Sequence, residues 1–314
     1  MTVSFSVAAE TVCALLLLIA LGYYAAKVKL IDQNTTKKIS AIVIQLAQPF
    51  MLFGALTNVE YSPAGLKTGL LTILIGLCSH LIMAVIAFFV AKYRRDPDER
   101  KITEFSLIYV NSGFLGFPVL KALLGDIGLF WCSFYVVTFN LAAWSYGILI
   151  LARGRKDVRI NWWKLILNYG STPCLVGLLF YVLQIRLPAP ITTVVKYMDG
   201  ICTPLVLLVI GANLARIPFK KLFSDRGVYL FSFLRLLIFP TIICLIYHLC
   251  GMADDRVMFF TIMACLPTAA IAGMLAEMYN VRPDLAALNV SVSTLFSMFT
   301  IPIVVLIANF IITL

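Results

Sequence analysis

Asn111-Ser112-Gly113-Phe114-Leu115-Gly116-Phe117-Pro118 decides how this chain is read. The stretch lies inside an apolar run of membrane-spanning length. Two glycines, a proline and an asparagine so close together oppose a continuous helix. Backbone released at membrane depth must be buried in protein or line a wet cavity. Unwinding leaves a half-helix N-terminus with unpaired N–H groups and a positive dipole end, a setting that suits a carboxylate. A second interruption is expected at Cys265-Leu266-Pro267-Thr268-Ala269-Ala270-Ile271-Ala272-Gly273. Pro267 removes an i→i−4 bond, and the small residues after it permit close backbone crossing. The two breaks are expected to cross near the bilayer midplane and hold an anion between opposed half-helix ends, with Thr268 supplying a hydroxyl. The plainer reading of each is a kinked packing helix.

Across the whole chain, 61% of the 314 residues are hydrophobic and 13% are charged, and the mean hydropathy is +0.97. Soluble domains are about 45–50% apolar and about 25% charged. Lipid is therefore the expected solvent, and disorder, a secreted disulfide scaffold and an ordinary cytosolic enzyme are excluded. Long apolar runs, rather than short alternating segments, argue against a β-barrel. The runs predict an all-α membrane protein with ten transmembrane helices over 6–26, 36–57, 66–91, 102–124, 127–151, 163–184, 190–214, 227–250, 255–279 and 285–312.

The net charge is +10. Most of the basic residues fall in odd-numbered connections: Lys27, Lys29, Lys37 and Lys38; Lys92, Arg94, Arg95, Arg100 and Lys101; Arg153, Arg155, Lys156, Arg159 and Lys164; Arg216, Lys220, Lys221 and Arg226; and Arg282. Even-numbered connections hold only Lys67, Lys121, Arg186, Lys196 and Arg256. This asymmetry places odd connections in the cytoplasm and both termini outside a cell membrane. It also explains the charge without a nucleic-acid partner. Five spans per half is odd, so two related halves, 1–155 and 156–314, are expected to insert in opposite orientations as inverted five-helix repeats. Broken spans 4 and 9 would be the corresponding members. Pro49 and Pro204 interrupt spans 2 and 7 in the same way, and matched breaks point to a transporter's binding site.

Polar residues inside spans are the remaining candidates. Asn140 and Gln48 are candidates for ligand contact beside Asn111, Ser112, Pro267 and Thr268. Gly113, Gly116, Pro118, Pro267 and Gly273 are expected to maintain the breaks. Arg235 is expected to serve as a structural or gating charge, with Asp199 a possible partner. His80 and His248 read as hydrogen-bonded packing residues, His80 with a lesser claim as a proton-sensitive site. Eight cysteines lie in or beside apolar runs with no CxxC pair and read as small packing residues. HExxH, GxSxG and Walker A patterns are absent, so no enzyme activity, metal or cofactor is expected.

At these residues the chain resembles the auxin efflux carrier family, which includes plant PIN auxin exporters and bacterial permeases often assigned to malonate. Residues 111–125, NSGFLGFPVLKALLG, look like the family's helix-4 crossover, and residues 266–284, LPTAAIAGMLAEMYNVRPD, like its helix-9 crossover and exit. Pro49, Arg235 and Pro240 also match. The resemblance implies ten helices in two inverted repeats, divided into a scaffold (helices 1, 2, 6 and 7) and a transport part, with elevator-like motion and dimerisation through the scaffold. It implies that Asn111 and Asn140 contact substrate carboxylate. Plant members carry prolines where this chain has Val110 and Ala272, and a long central loop where it has only 153–161. The implied function is secondary transport, by efflux or exchange, of a small organic anion such as a carboxylate or auxin-like acid. A sodium-coupled anion symporter of bile-acid type and a non-transporting membrane sensor are the alternatives.

Overall fold

The computed structural model describes residues 5–154, 169, 171–216 and 225–314. Among them are eleven helices. These are α1 (Phe5–Lys27), α2 (Gln33–Thr57), α3 (Pro63–Tyr93), α4 (Pro97–Ile108), α5 (Phe117–Ala152) and α6 (Ser171–Val182). They continue with α7 (Ala189–Leu214), α8 (Arg226–Leu249), α9 (Asp254–Cys265), α10 (Ile271–Met278) and α11 (Pro283–Ile312). Polar caps set several starts. Asp32 accepts the Thr35 N–H at 2.7 Å, Ser62 that of Gly65 at 2.9 Å, and Asp225 that of Gly227 at 2.8 Å. Arg155, Lys156, Arg159, Lys164, Lys220 and Lys221 lie outside the described residues.

The expectation of ten spanning helices is corrected. Among the described residues, six helices are long and apolar enough to cross a membrane: α2, α3, α5, α7, α8 and α11. Two shorter apolar stretches, Cys13–Lys27 and Ser171–Val182, accompany them. The reason is physical. The predicted fourth and ninth spans are cut by extended backbone, which leaves α4, α9 and α10 short of membrane thickness. Between the predicted spans 102–124 and 127–151 the chain keeps one helix, α5, with a kink where Gly125 takes φ 66° and ψ −150°. A side chain would be strained in that conformation.

Glycines set the closest packing. A Cβ on Gly22 of α1 would overlap the Leu208 carbonyl of α7, and one on Gly211 of α7 would overlap the Ile19 carbonyl of α1. α2 packs on α6 through a Phe53–Phe180 edge contact at 5.3 Å and through Gly177 against Leu56. α3 packs on α5, where Gly69 faces the Phe134 ring and Thr138 Oγ1 donates to the Ile73 carbonyl at 3.1 Å. Outward lie Leu17, Leu74, Leu81, Phe89, Phe299 and Phe310, each mostly exposed, as a lipid-facing surface requires. Cys13, Cys78 and Cys250 also point outward; the other five cysteines are buried.

Pro49, Pro118 and Pro240 each follow one turn of π-helix: Val43–Ala47, Ser112–Gly116 and Leu234–Ile238. Each proline thus falls in the first turn of the next α-helical piece, where a missing N–H costs least.

Candidate functional site

α4 ends at Ile108, and Tyr109 turns to extended backbone. α9 ends at Cys265, and Leu266 does the same. The two extended segments meet as a short antiparallel bridge, Val110 opposite Thr268. The Asn111 N–H donates to the Pro267 carbonyl at 2.8 Å, and the Ala269 N–H donates to the Tyr109 carbonyl at 2.9 Å. Groups freed by unwinding each helix are therefore satisfied by the other, as buried backbone demands. Beyond the bridge, the Asn111 carbonyl accepts the N–H groups of Leu115 at 3.1 Å and Gly116 at 2.9 Å, which starts the turn into α5.

Side chains fix the second segment. Thr268 Oγ1 donates to the Ser106 carbonyl at 3.0 Å, and the Thr268 N–H donates to Ser293 Oγ at 3.1 Å. Asn289 Nδ2 donates to Ser106 Oγ at 3.3 Å. The Thr268 hydroxyl, expected to be available to a ligand, is thus turned into the protein and is 0% exposed. On the first segment, Gln48 Nε2 of α2 donates to the Gly113 carbonyl at 3.3 Å. Asn111 and Ser112 are buried, and Ser112 Oγ has no hydrogen-bond partner.

The remaining predicted residues separate. Asn140 is buried in α5, where its amide donates to Val136 of the same helix at 3.0 Å rather than across to the breaks. A Cβ on Gly116 would come 3.0 Å from Leu266 Cδ1, and one on Gly113 would come 3.0 Å from Gln48 Nε2. Gly273 faces open space, with nothing within 4 Å of a Cβ, so close packing does not require it. Asp199 pairs with Lys121 at 2.7 Å and not with Arg235. Arg235 is 0% exposed in the π-turn of α8, and its Nη1 donates to the Ala264 carbonyl at 2.6 Å.

Charged clusters that the sequence does not announce clamp the helix ends. Arg153 bonds Glu104 through two contacts of 3.0 Å, and Tyr146 adds a third at 3.2 Å. That carboxylate holds the Arg153 guanidinium above its ordinary pKa. Arg282 bridges Asp284 and Glu99, whose carboxylates raise it likewise, with Asp284 dominant. Arg94 reaches Asp225 at 2.8 Å. No group of three or more His, Cys, Asp or Glu suited to a metal occurs among the described residues.

Interrupted helices paired in the buried centre of a helical membrane protein define a class, that of transporters built on discontinuous helices. The chain belongs to the family described as "Membrane transport protein", whose model matches residues 7–161 and 155–305. It is a multi-pass membrane transporter. It is 27% identical to an uncharacterised transporter of Methanothermobacter thermautotrophicus over 299 residues, covering 94% of this chain and 96% of that one. It is 22% identical to an uncharacterised transporter of Methanocaldococcus jannaschii, covering 93% and 96%. A Rhizobium meliloti protein with the provisional name malonate transporter is also 22% identical, covering 90% of each chain.

Proposed function

We propose that the chain is a secondary carrier of small organic anions, carboxylates foremost, working by an elevator-type alternating-access mechanism. One observation carries this reading: the Val110–Thr268 bridge, from which two helical pieces restart, at Ser112 and at Ile271. Helix N-termini present N–H groups and a positive dipole end to an anion without requiring a full side-chain charge. Asn111 and Ser112 stand at the first restart and contact the carboxylate, with Gln48 beside them. Asn140 supports from α5. Pro267 and Thr268 frame the opposite wall. The provisional malonate name of one relative supports a carboxylate class.

Packing supports the elevator motion. α1 packs with α7, and α2 with α6 and α7, while the breaks are held by α4, α5, α9 and α11. Gln48–Gly113, Lys121–Asp199 and the Phe130–Tyr181 ring contact are among the links between the two groups, and such links must exchange when one moves past the other. The family match falls in two segments, which supports halves divided near residue 155. The distribution of Lys and Arg supports extracytoplasmic termini. Resemblance supports a homodimer.

The test is solid-supported-membrane current from purified protein in liposomes, with malonate, other small carboxylates and indole-3-acetate, each with and without sodium. A saturable current with a carboxylate is expected. Asn111→Ala should weaken binding by about tenfold, the effect of one charge-assisted hydrogen bond. Unchanged affinity in a folded variant removes Asn111 from the site.

A further inference from the structure

Behind the bridge lies a cavity of about 20 Å³, walled by Val110 and Ala264 from the breaks' flanks and by Ser79, His80, Tyr135 and Arg235. That is room for one water molecule. Arg235 presents Nε and Nη2 without hydrogen-bond partners. No carboxylate forms an ion pair with it among the described residues. A buried charge with no counter-ion is costly, and most of all inside a membrane.

His80 of α3, 6% exposed, shares the cavity. Its Nδ1 lies 2.8 Å from the Gly76 carbonyl. A carbonyl only accepts, so Nδ1 carries the proton and Nε2 holds the lone pair. Nε2 is buried without a partner. The other titratable groups around it are phenols. Tyr135 of α5 has its ring 5.4 Å away, and Tyr109, at the end of α4, 5.8 Å away. Tyr247 of α8 bonds Ser79 Oγ at 2.5 Å. α9 contributes Phe260 and Ala264, neither of which titrates. The cavity thus holds a fixed cation and a free base, and no carboxylate lines it.

We propose that His80 is the proton-binding residue of this carrier and that proton and substrate anion bind together. Protonated on Nε2, His80 sets a second positive charge beside Arg235, and in a low-dielectric cavity the two repel. Negative charge at the paired breaks, of which Val110 forms the shared wall, relieves that repulsion. When the anion arrives, a proton passes from water to Nε2 while Nδ1–H keeps its bond to Gly76. When the anion leaves, the proton returns to water. A single water in the cavity, accepting from Arg235 and donating to Nε2, is the last link of the relay. The chemistry is symport of one proton with one anion, and it rests on the carrier reading above.

The test uses the full chain in detergent. Malonate affinity is measured between about pH 8 and 6.5, where carboxylic acids stay largely ionised. Wild-type affinity is expected to rise towards tenfold per pH unit as pH falls, the signature of one linked proton. His80→Gln should flatten that dependence. An equal slope in His80→Gln, or a flat wild-type profile with binding intact, overturns the proposal. A second measurement needs no ligand. With His248→Gln leaving His80 as the only histidine, imidazole NMR follows its charge directly. Arg235→Gln should move protonation of the ring to higher pH, because it removes the neighbouring cation. If the Arg235→Gln protein folds and the ring is unmoved, the coupling fails. Absence of malonate binding with that shift intact counts against the carrier's substrate class and leaves the Arg235–His80 coupling standing.

Discussion

The two interruptions reach the same bridge by different means. The first, 109–111, opens into a glycine-bearing π-turn whose Gly113 carbonyl is held from outside by Gln48 of α2. The second, 266–270, turns through Pro267 and is held from within by Ser106 of α4 and by Ser293 of α11. One break is tied across the boundary between helix groups; the other is tied inside its own group. In the proposed elevator motion the first break changes neighbours, and a long amide contact suits that. A break that must keep its shape suits a buried network in which every lost partner leaves an unsatisfied group.

Substitutions can break or sharpen this contrast. The largest effect is expected from Gly116→Leu, because a Cβ there already crowds Leu266 across the bridge. Overpacking should cost about 3 kcal/mol and abolish current, as read by unfolding in mixed micelles and by transport. Thr268→Val keeps the shape but orphans the Ser106 carbonyl. A loss of about 2 kcal/mol is expected, and a neutral result would show that the second break is not held by its network. Gln48→Leu should cost at most about 1 kcal/mol of stability while changing the transport rate. A stability loss equal to that of Thr268→Val would erase the distinction between the breaks. Gly273→Ala should be the mildest. Its Cβ meets nothing, so helix propensity alone predicts a gain of about 0.5 kcal/mol in the same unfolding assay.

Composition exposed the breaks because glycine and proline act on their own backbone, wherever the chain later packs. Residues 111–118 and 265–270 could therefore be located before any contact was known. Helix count was less legible. Hydropathy runs straight through 102–124 and 255–279, while the backbone does not. Partner choice was least legible. Asp199 and Arg235 look complementary in sequence, but Lys121 takes Asp199, and Arg235 turns to a backbone carbonyl. Likewise the hydroxyl of Thr268 looked free in sequence, but it bonds the Ser106 carbonyl. Ser106, Asn289 and Ser293, polar residues inside apolar runs, were the available hint of a network, but their mutual distances were not in the sequence.

The π-turn at Leu234–Ile238 has a consequence for what an insertion or deletion would do to α8. Each residue advances an α-helix by about 100°, so one extra residue in a turn offsets everything after it by that angle. The arm before the turn buries Val228 and Phe231; the arm after it buries Ile243, Cys244 and Tyr247. The helix is therefore two azimuthal phases joined at Arg235. Removing a single residue from the turn would bring the phases into line and swing Tyr247 away from Ser79. A one-residue deletion here would thus act some three turns away from where it is made.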